Sequence, residues 1–146
     1  MEGVPRHYAA WINIWDYKLL YTLIYGGVTA YSTTDFIKVN GFSNEYWGWG
    51  GEDDDLRLRT QASGFEIIRP NETVTRYKMM EHKHEKNNAR NKARWKLTKN
   101  FSNHWQNDGL SNLKYDVLSK TVFTFYINIT VDLRYSDRLP QFILLN

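Results

Sequence analysis

Alternation of apolar and polar residues is clearest near the C-terminal end of the chain. From Phe123 to Leu133 every second residue is apolar, and the residues between them are Thr, Tyr, Asn, Thr and Asp. A period of two predicts a strand with one face against a core and the other in solvent. The polar face includes Asn128 of an Asn-Ile-Thr sequon, where N-glycosylation needs it.

Other strands are predicted in the first half of the chain. Residues 17–25 are aromatic and apolar and predict a buried strand that ends at Gly26-Gly27. Residues 28–32 predict a second short strand. Further strands are predicted over residues 65–68, ended by Pro70, and over residues 74–80.

Three helices are predicted from start and stop signals. Ser32 begins a helix over residues 35–40, with Gly41 as the left-handed residue after it. Residues 52–63 begin with four acids and are followed by Gly64. Residues 91–105 carry one apolar stripe of residues four apart, and Trp95 lies off that stripe. Strands and helices alternate, so the expected class is α/β with a mixed sheet and flanking helices.

Composition limits the class of protein. The 146 residues are 42% hydrophobic and 16% aromatic, which suits one folded domain. The net charge of +3 is too small to indicate nucleic-acid binding by itself, and the absence of cysteine excludes disulfides. The sequence has no apolar run long enough to span a membrane and no signal peptide, whereas three sequons, at Asn71, Asn100 and Asn128, favour a secretory lumen.

Residues 40–55 carry the strongest chemical signal. The stretch ends Tyr46-Trp47-Gly48-Trp49-Gly50-Gly51-Glu52-Asp53-Asp54-Asp55. Glycine permits close backbone approach to a ligand, aromatic faces suit sugars or bases, and adjacent carboxylates raise one another's pKa. Helix capping explains the acids alone and is the simpler interpretation from spacing. Capping does not require the aromatic-glycine run, so a catalytic carboxylate in the same turn is also considered.

Two further groups could carry chemistry. On a strand, His82 and His84 would share one face and could bind a metal ion with a carboxylate, although two surface histidines are the commoner case. Trp95, beside Arg94, could stack on a sugar or a base, or pack on a neighbouring element. The basic residues between 83 and 99 leave single-strand nucleic-acid binding as a hypothesis, and the acids and sequons count against it.

Several strings together resemble the beta-1,4-galactosyltransferase family in order and spacing. They are Tyr25-Gly26-Gly27-Val28, Asn40-Gly41-Phe42, residues 46–55, Arg69-Pro70-Asn71, Met79-x-x-His82, Asp108-Gly109-Leu110 and Ile129-Thr130-Val131-Asp132. The resemblance implies the C-terminal portion of a GT-A nucleotide-sugar transferase fold over residues 1–134, with residues 135–146 as a tail. It implies an inverting, Mn²⁺-dependent transfer from a UDP-sugar to the 4-hydroxyl of a terminal GlcNAc, in the Golgi lumen.

The resemblance also implies roles for individual residues. Asp53 would be the general base, with Glu52 shaping the donor pocket and Trp49 at the junction of donor and acceptor. The implied substrate-binding residues are Asp54, Gly51, Arg94, Trp95, Ile24 and Tyr25. The implied metal ligands are His82 and Met79, and a xylose-acceptor branch of the family resembles the His-x-His pattern, so that His84 would share or replace the role of Met79.

The sequence departs from the family pattern at two places. The Asp-x-Asp motif that supplies another metal ligand is not found before Pro5, so the chain is expected to be part of a longer type II membrane protein with its anchor upstream. Ile24 stands where galactose-using members carry Tyr, and invertebrate relatives that transfer N-acetylgalactosamine resemble this chain there. The resemblance therefore implies UDP-galactose or UDP-GalNAc as donor, and the smaller side chain favours UDP-GalNAc. An alternative hypothesis is an inactive or merely sugar-binding product without a complete donor site.

Overall fold

A computed structural model describes residues 3–83 and 85–134. Its helices and strands are short and follow in this order: β1 Arg6–His7, β2 Trp11–Ile12, β3 Thr29–Ala30, α1 Thr33–Lys38, α2 Glu52–Ala62, β4 Arg76–Tyr77, α3 Arg94–Asn100, β5 Asp116–Val122 and β6 Ile127–Asp132. Strand β1 pairs antiparallel with β3, β2 pairs parallel with β4, and β5 forms an antiparallel hairpin with β6. Mixed strand directions with helices between them agree with the predicted α/β class.

Helix α1 begins and ends two residues before the predicted range of 35–40, although Ser32 caps it as predicted. The Ser32 hydroxyl accepts a hydrogen bond from the Asp35 amide at 3.0 Å, as expected of an N-cap. Asn40, with φ of 60°, takes the left-handed position that the sequence assigned to Gly41. Gly41 follows with φ of 62° and donates from its amide to the Phe36 carbonyl, which completes a Schellman ending.

Helix α2 confirms the prediction over residues 52–63 to within one residue. Gly51, with φ of 97°, precedes the helix, and Gly64, with φ of 81°, follows it. All four acids fall in the first turn, where the helix dipole favours negative charge. One side of the helix is buried, and Leu56 on it belongs to the core.

The core is small and closed by a chain of hydroxyl groups. Tyr25, Val39 and Leu56 are fully buried together. The Tyr25 and Tyr31 hydroxyls lie 2.6 Å apart, and the Tyr31 hydroxyl lies 2.6 Å from the Thr60 hydroxyl. Thr60 in turn donates to the Leu56 carbonyl at 2.7 Å. The chain gives each buried hydroxyl a partner and ties the segment at Tyr25 to α2.

The strand predicted over residues 17–25 is wrong. Asp16 and Tyr17 adopt left-handed φ of 50° and 54°, which turns the chain away from an extended path. The amides of Tyr17, Lys18 and Ile24 donate to carbonyls three to five residues earlier, so they make turns rather than a ladder. The apolar run therefore lacks a strand partner, and only its end, Ile24 and Tyr25, is buried.

Three other predicted elements are present only in part. Of residues 65–68, Ile68 alone forms a bridge, to Arg6, and of residues 74–80 only β4 is a strand. Within the helix predicted over residues 91–105, α3 (Arg94–Asn100) is α-helical, and the short 3-10 turns Phe101–Asn103 and Trp105–Asn107 follow it. Asparagine and serine side chains are frequent in this stretch, and such side chains compete for backbone hydrogen bonds and interrupt regular helices.

The C-terminal strand is shorter than its alternation predicts and has a partner that the sequence did not indicate. Residues 123–126 form the turn of the β5–β6 hairpin, in which the Phe123 amide donates to the Tyr126 carbonyl and the two rings stack at 4.5 Å. All residues of β5 and β6 are exposed, so the predicted buried face is not found. The predicted tail, residues 135–146, lies outside the described residues.

A buried guanidinium joins α2 to the turn at Asp108. Arg59, fully buried, donates from Nε to Asp55 at 2.5 Å and from Nη2 to the Asp108 carboxylate at 3.0 Å. Its Nη1 donates to the Asp108 carbonyl. The Asn40 side chain donates to the carbonyls of Trp105 and Asp108 as well, so the end of α1 is bound to the same turn.

In the described part of the chain, none of the helices has both the length and the apolar character needed to cross a bilayer.

We expect Arg59→Met to destabilise the protein by about 3–5 kcal/mol, because it leaves two buried carboxylates without their cation. The measurement is the free energy of unfolding in urea. The matched control is Arg76→Met, which removes an exposed pair with Glu72 and should cost about 1 kcal/mol or less. Equal losses in the two variants would contradict the role given to Arg59.

Candidate active site

The loop before α2 is bound by its backbone to the segment before α3. The Trp49 amide donates to the Ala89 carbonyl at 2.9 Å, and the Trp49 carbonyl accepts from the Asn91 amide at 2.9 Å. Gly48, with φ of 87°, lies so close to the Ala89 carbonyl that a Cβ would collide with it. These contacts fix the backbone of Trp49, whose side chain remains 44% exposed.

Three of the predicted substrate-binding residues, Gly51, Arg94 and Trp95, lie at this junction beside Trp49. An added Cβ at Gly51 would lie 2.9 Å from the Cβ of Arg94, so Arg94 packs directly on the glycine. The Arg94 guanidinium lies 5.0 Å from the Trp95 ring centre, and Arg90 lies 5.4 Å from that of Trp49. Trp95 is 58% exposed, in agreement with its place off the apolar stripe. Trp49 and Trp95 are thus each exposed with a guanidinium beside the ring, and such indoles are of the kind that stacks on sugar rings.

Asp53 sits against the Tyr25-Gly26-Gly27 segment. A Cβ at Gly26 would come 2.7 Å from Asp53 Oδ2, and Asp53 Oδ1 accepts from the Asp54 amide at 3.0 Å. Any side chain at Gly26 would therefore displace the predicted base. Ile24 and Tyr25, which precede this glycine, are 5% and 1% exposed, and their predicted contact with substrate stays a prediction.

The four acids of α2 lie in different environments. Glu52 is exposed, Asp53 and Asp54 are half-buried, and Asp55 is fully buried on Arg59. Burial, and secondarily the charge of Asp53, raises the pKa of Asp54, while Arg57 opposes the shift. Burial also raises the pKa of Asp55, against the attraction of Arg59. Asp55 therefore serves the fold, which leaves Glu52, Asp53 and Asp54 for a site.

Tyr21 shares the field of these acids. Burial raises the pKa of its phenol, and the negative charges of Asp54 and Asp53 add to the effect. Its hydroxyl is consequently neutral at physiological pH and can act as a hydrogen-bond donor. The sequence interpretation gave Tyr21 no role.

The side chains of His7 and Arg69 bind backbone carbonyls of the segment at residues 24–26, and neither residue was predicted as part of the site. His7 Nε2 lies 2.9 Å from the Gly26 carbonyl, and Arg69 donates to the Ile24 carbonyl at 2.9 Å. Burial lowers the pKa of His7, so the ring is neutral and suited to a hydrogen bond with one backbone carbonyl. Arg69 belongs to the Arg69-Pro70-Asn71 string of the family resemblance, and that string was the signal in the sequence that could have indicated its role.

The predicted metal ligands Met79 and His82 lie in the segment after β4. Met79 is half-buried, and His82 is exposed, with its Nδ1 2.9 Å from the Met80 carbonyl. That contact suits a protonated Nδ1, which leaves Nε2 as the acceptor for a metal ion. In residues 3–83 and 85–134, no group of three His, Asp or Glu ligand atoms includes His82, and His84 lies outside the described residues.

Asp108 positions the loop from its other end. Its Oδ1 accepts from the Asn44 amide at 2.9 Å, and its Oδ2 accepts from the Ser43 hydroxyl as well as from Arg59. Burial and repulsion by Asp108 raise the pKa of the neighbouring Glu45. In the sequence, Asp108 was named only within the Asp108-Gly109-Leu110 string of the resemblance, because a buried carboxylate partner of Arg59 leaves no local pattern.

Comparison with known sequences shows that the chain is similar to galactosyltransferases. Residues 6–83 match the family model described as the N-terminal domain of galactosyltransferase. Over 137 residues the chain is 42% identical to beta-1,4-galactosyltransferase 3 of Cricetulus griseus, an alignment that covers 94% of the chain and 35% of that protein. The chain thus spans about a third of the length of the curated relatives it matches.

Two solved structures share the fold. The catalytic domain of Drosophila beta-1,4-galactosyltransferase 7, in complex with xylobiose, superposes with a TM-score of 0.68 at 25% identity and covers 92% of this chain and 60% of that one. A mutant of the same enzyme, in complex with manganese, UDP-Gal and xylobiose, superposes with a TM-score of 0.55 at 21% identity and the same coverage. At that lower identity the second likeness concerns the fold alone.

We expect Asp54→Asn to make the protein more stable than wild type at pH 7. A raised pKa means that the folded chain binds the proton more tightly than the unfolded chain, so wild-type stability rises as pH falls. The asparagine variant does not titrate at this position, so its advantage should disappear as pH falls toward 3.8, the ordinary Asp pKa. Urea unfolding at a series of pH values measures the difference.

The control for this prediction is Glu66→Gln, which changes an exposed carboxylate on the segment after α2. Its stability should follow that of wild type at neutral and acidic pH. An Asp54→Asn variant that is less stable than wild type at pH 7 would contradict the electrostatic account.

Proposed function

We propose that this chain, which belongs to the beta-1,4-galactosyltransferase family, forms part of a glycosyltransferase catalytic domain. The family and the GT-A fold that the sequence predicted are both confirmed. The proposed reaction moves galactose or N-acetylgalactosamine from a UDP-sugar to the 4-hydroxyl of a terminal GlcNAc, in a beta-1,4 linkage. The observation that carries the proposal is the placement of Asp53 against Gly26, at the start of α2 and after the aromatic-glycine loop. A proton acceptor there is held by backbone contact rather than by a flexible neighbour.

Asp53 acts in this proposal as the general base of a one-step inversion. Its carboxylate takes the proton of the acceptor 4-hydroxyl while that oxygen forms a bond to C1 of the donor sugar. The bond between C1 and the UDP oxygen breaks, and UDP leaves with its electron pair. General bases of this kind contribute about 10²–10⁴ in rate.

The acceptor sugar would lie on the open surface beside α3. Asp54 would accept hydrogen bonds from its hydroxyls, and Trp49 and Trp95 would cover its faces. Support comes from their exposure of 44% and 58% and from the packing of Arg94 on Gly51, which joins the loop to α3. Glu52, exposed on the first turn, would face the donor sugar.

Met79 and His82 would hold Mn²⁺ together with ligands that the described residues do not supply. The contact of His82 Nδ1 with a backbone carbonyl supports this role, because it leaves Nε2 for a metal. When bound, the ion would offset the negative charge that develops on the departing UDP. The Drosophila enzyme whose xylobiose complex is 25% identical to this chain also forms a complex with manganese and UDP-Gal, and this supports the same cofactor and donor class.

A sugar-binding role without catalysis is the second candidate, and the exposure of Trp49 and Trp95 favours it. Calorimetric titration with GlcNAc, with and without Mn²⁺ and UDP, separates the two. A transferase should bind GlcNAc more tightly with Mn²⁺ and UDP present, whereas a simple sugar-binding protein should show one affinity in both conditions.

The proposed place of action is the Golgi lumen, as the family implies.

We expect Asp53→Asn to lower transfer to GlcNAc acceptors by about 10²–10⁴-fold, because the amide cannot take a proton. The assay uses the full-length protein with Mn²⁺ and a UDP-sugar, and binding of Mn²⁺ and UDP should persist. Glu66→Gln is the control and should retain wild-type activity. Undiminished turnover in Asp53→Asn would remove Asp53 as the base.

Ile24 decides the donor sugar in a second prediction. The relatives are named as galactosyltransferases, which supports UDP-galactose as donor. The side chain of Ile24 is smaller than the Tyr of galactose-using members, which supports UDP-GalNAc. We expect Ile24→Tyr to reduce the kcat/KM ratio of UDP-GalNAc to UDP-galactose at least tenfold (about 1.4 kcal/mol). Ile24→Val, which adds no volume, should keep the wild-type ratio, and an unchanged ratio in a folded Ile24→Tyr variant would refute the assignment.

A further inference from the structure

Three ligand-type side chains converge away from the Met79–His82 pair. Ligand atoms of Glu45, His104 and Asp108 all lie within 4.8 Å of one another. Glu45 lies in the loop before α2, His104 lies between two 3-10 turns after α3, and Asp108 follows the second of those turns. The cluster therefore spans two segments that are distant in sequence.

The imidazole of His104 faces this cluster without a hydrogen bond. Its Nε2 is shielded from solvent and has no hydrogen-bond partner among the described residues. The nearest charged atom is Glu45 Oε2, at 3.9 Å, which is too long for a hydrogen bond. Two ligands about 2.1 Å from a tetrahedral ion lie roughly 3.4 Å apart, so the observed spacing suits a shared metal ion better than a direct contact.

The charges around the cluster leave a negative excess. Glu45, Asp55 and Asp108 supply three carboxylates, and Arg59 supplies the single guanidinium that pairs with two of them. Asp108 accepts three hydrogen bonds, from Asn44, Ser43 and Arg59. A carboxylate offers about four acceptor positions, so one position on Oδ1 remains for a further ligand contact.

We propose that Glu45, His104 and Asp108 bind a divalent transition-metal ion, with Zn²⁺ as the preferred ion. Imidazole nitrogen and carboxylate oxygen are both ligands of Zn²⁺, and water would complete a four-coordinate site. The ion ties the loop to the turn at Asp108. Because Trp49 lies four residues beyond Glu45, the ion also limits the movement of the loop that carries this indole.

The test is calorimetric titration of the chain with Zn²⁺, together with the visible absorption of bound Co²⁺ as a measure of tetrahedral coordination. The variants are His104→Gln and Glu45→Gln, which keep size and polarity but weaken or remove the ligand. His82→Gln is the matched control, because it removes a histidine from the other predicted metal pair.

We expect both His104→Gln and Glu45→Gln to weaken one Zn²⁺-binding event at least tenfold and to abolish its Co²⁺ absorption, whereas His82→Gln leaves that event unchanged. Should His104→Gln fail to fold, Glu45→Gln decides alone, because Glu45 is partly exposed and its replacement disturbs little packing. Wild-type affinity in Glu45→Gln, or Zn²⁺ binding that disappears only with His82, overturns the proposal.

Discussion

The buried guanidinium of Arg59 is the constraint on which the surrounding structure depends. A cation without solvent must be matched by anions and carbonyls, because its desolvation costs several kcal/mol. Asp55 lies on the same helix, but Asp108 comes from a turn 49 residues further along the chain. The need to compensate one charge therefore fixes how α2, the end of α1 and the turn at Asp108 meet. The loop that begins at Ser43 is bound to the same carboxylate.

The candidate site is built mainly by backbone contact around this frame. Asp53 rests on Gly26, Arg94 rests on Gly51, and the Trp49 backbone pairs with residues 89 and 91. In each contact a glycine or a backbone group allows the two segments to approach closely. The site residues are therefore positioned by the backbone rather than by flexible side chains. Four consecutive acids can therefore divide between fold and site, with Asp55 in the fold and Asp53 at the open edge.

The sequence predicted the elements whose signals are local. Ser32 and the acids of residues 52–55 begin helices where expected, because caps and helix dipoles act within one turn. It mispredicted residues 17–25 and the start of β6, where left-handed residues and a four-residue turn override apolar patterning. The family and fold were available from the strings of the resemblance, above all residues 46–55, whereas the structural roles of Arg59, Asp108 and His7 were missed, since their partners are distant in sequence. The roles of Asp53 and the metal ligands stay predictions.

The hydroxyl chain in the core determines the direction of its protons. Thr60 uses its single proton on the Leu56 carbonyl, so it can only accept from Tyr31. Tyr31 has then spent its own proton and can only accept from Tyr25. Tyr25 must therefore donate inward, and its phenolic proton is committed to the core before any ligand arrives. If Tyr25 contributes to a sugar site, it does so through its ring, its backbone or its hydroxyl oxygen as an acceptor, and not as a hydroxyl donor.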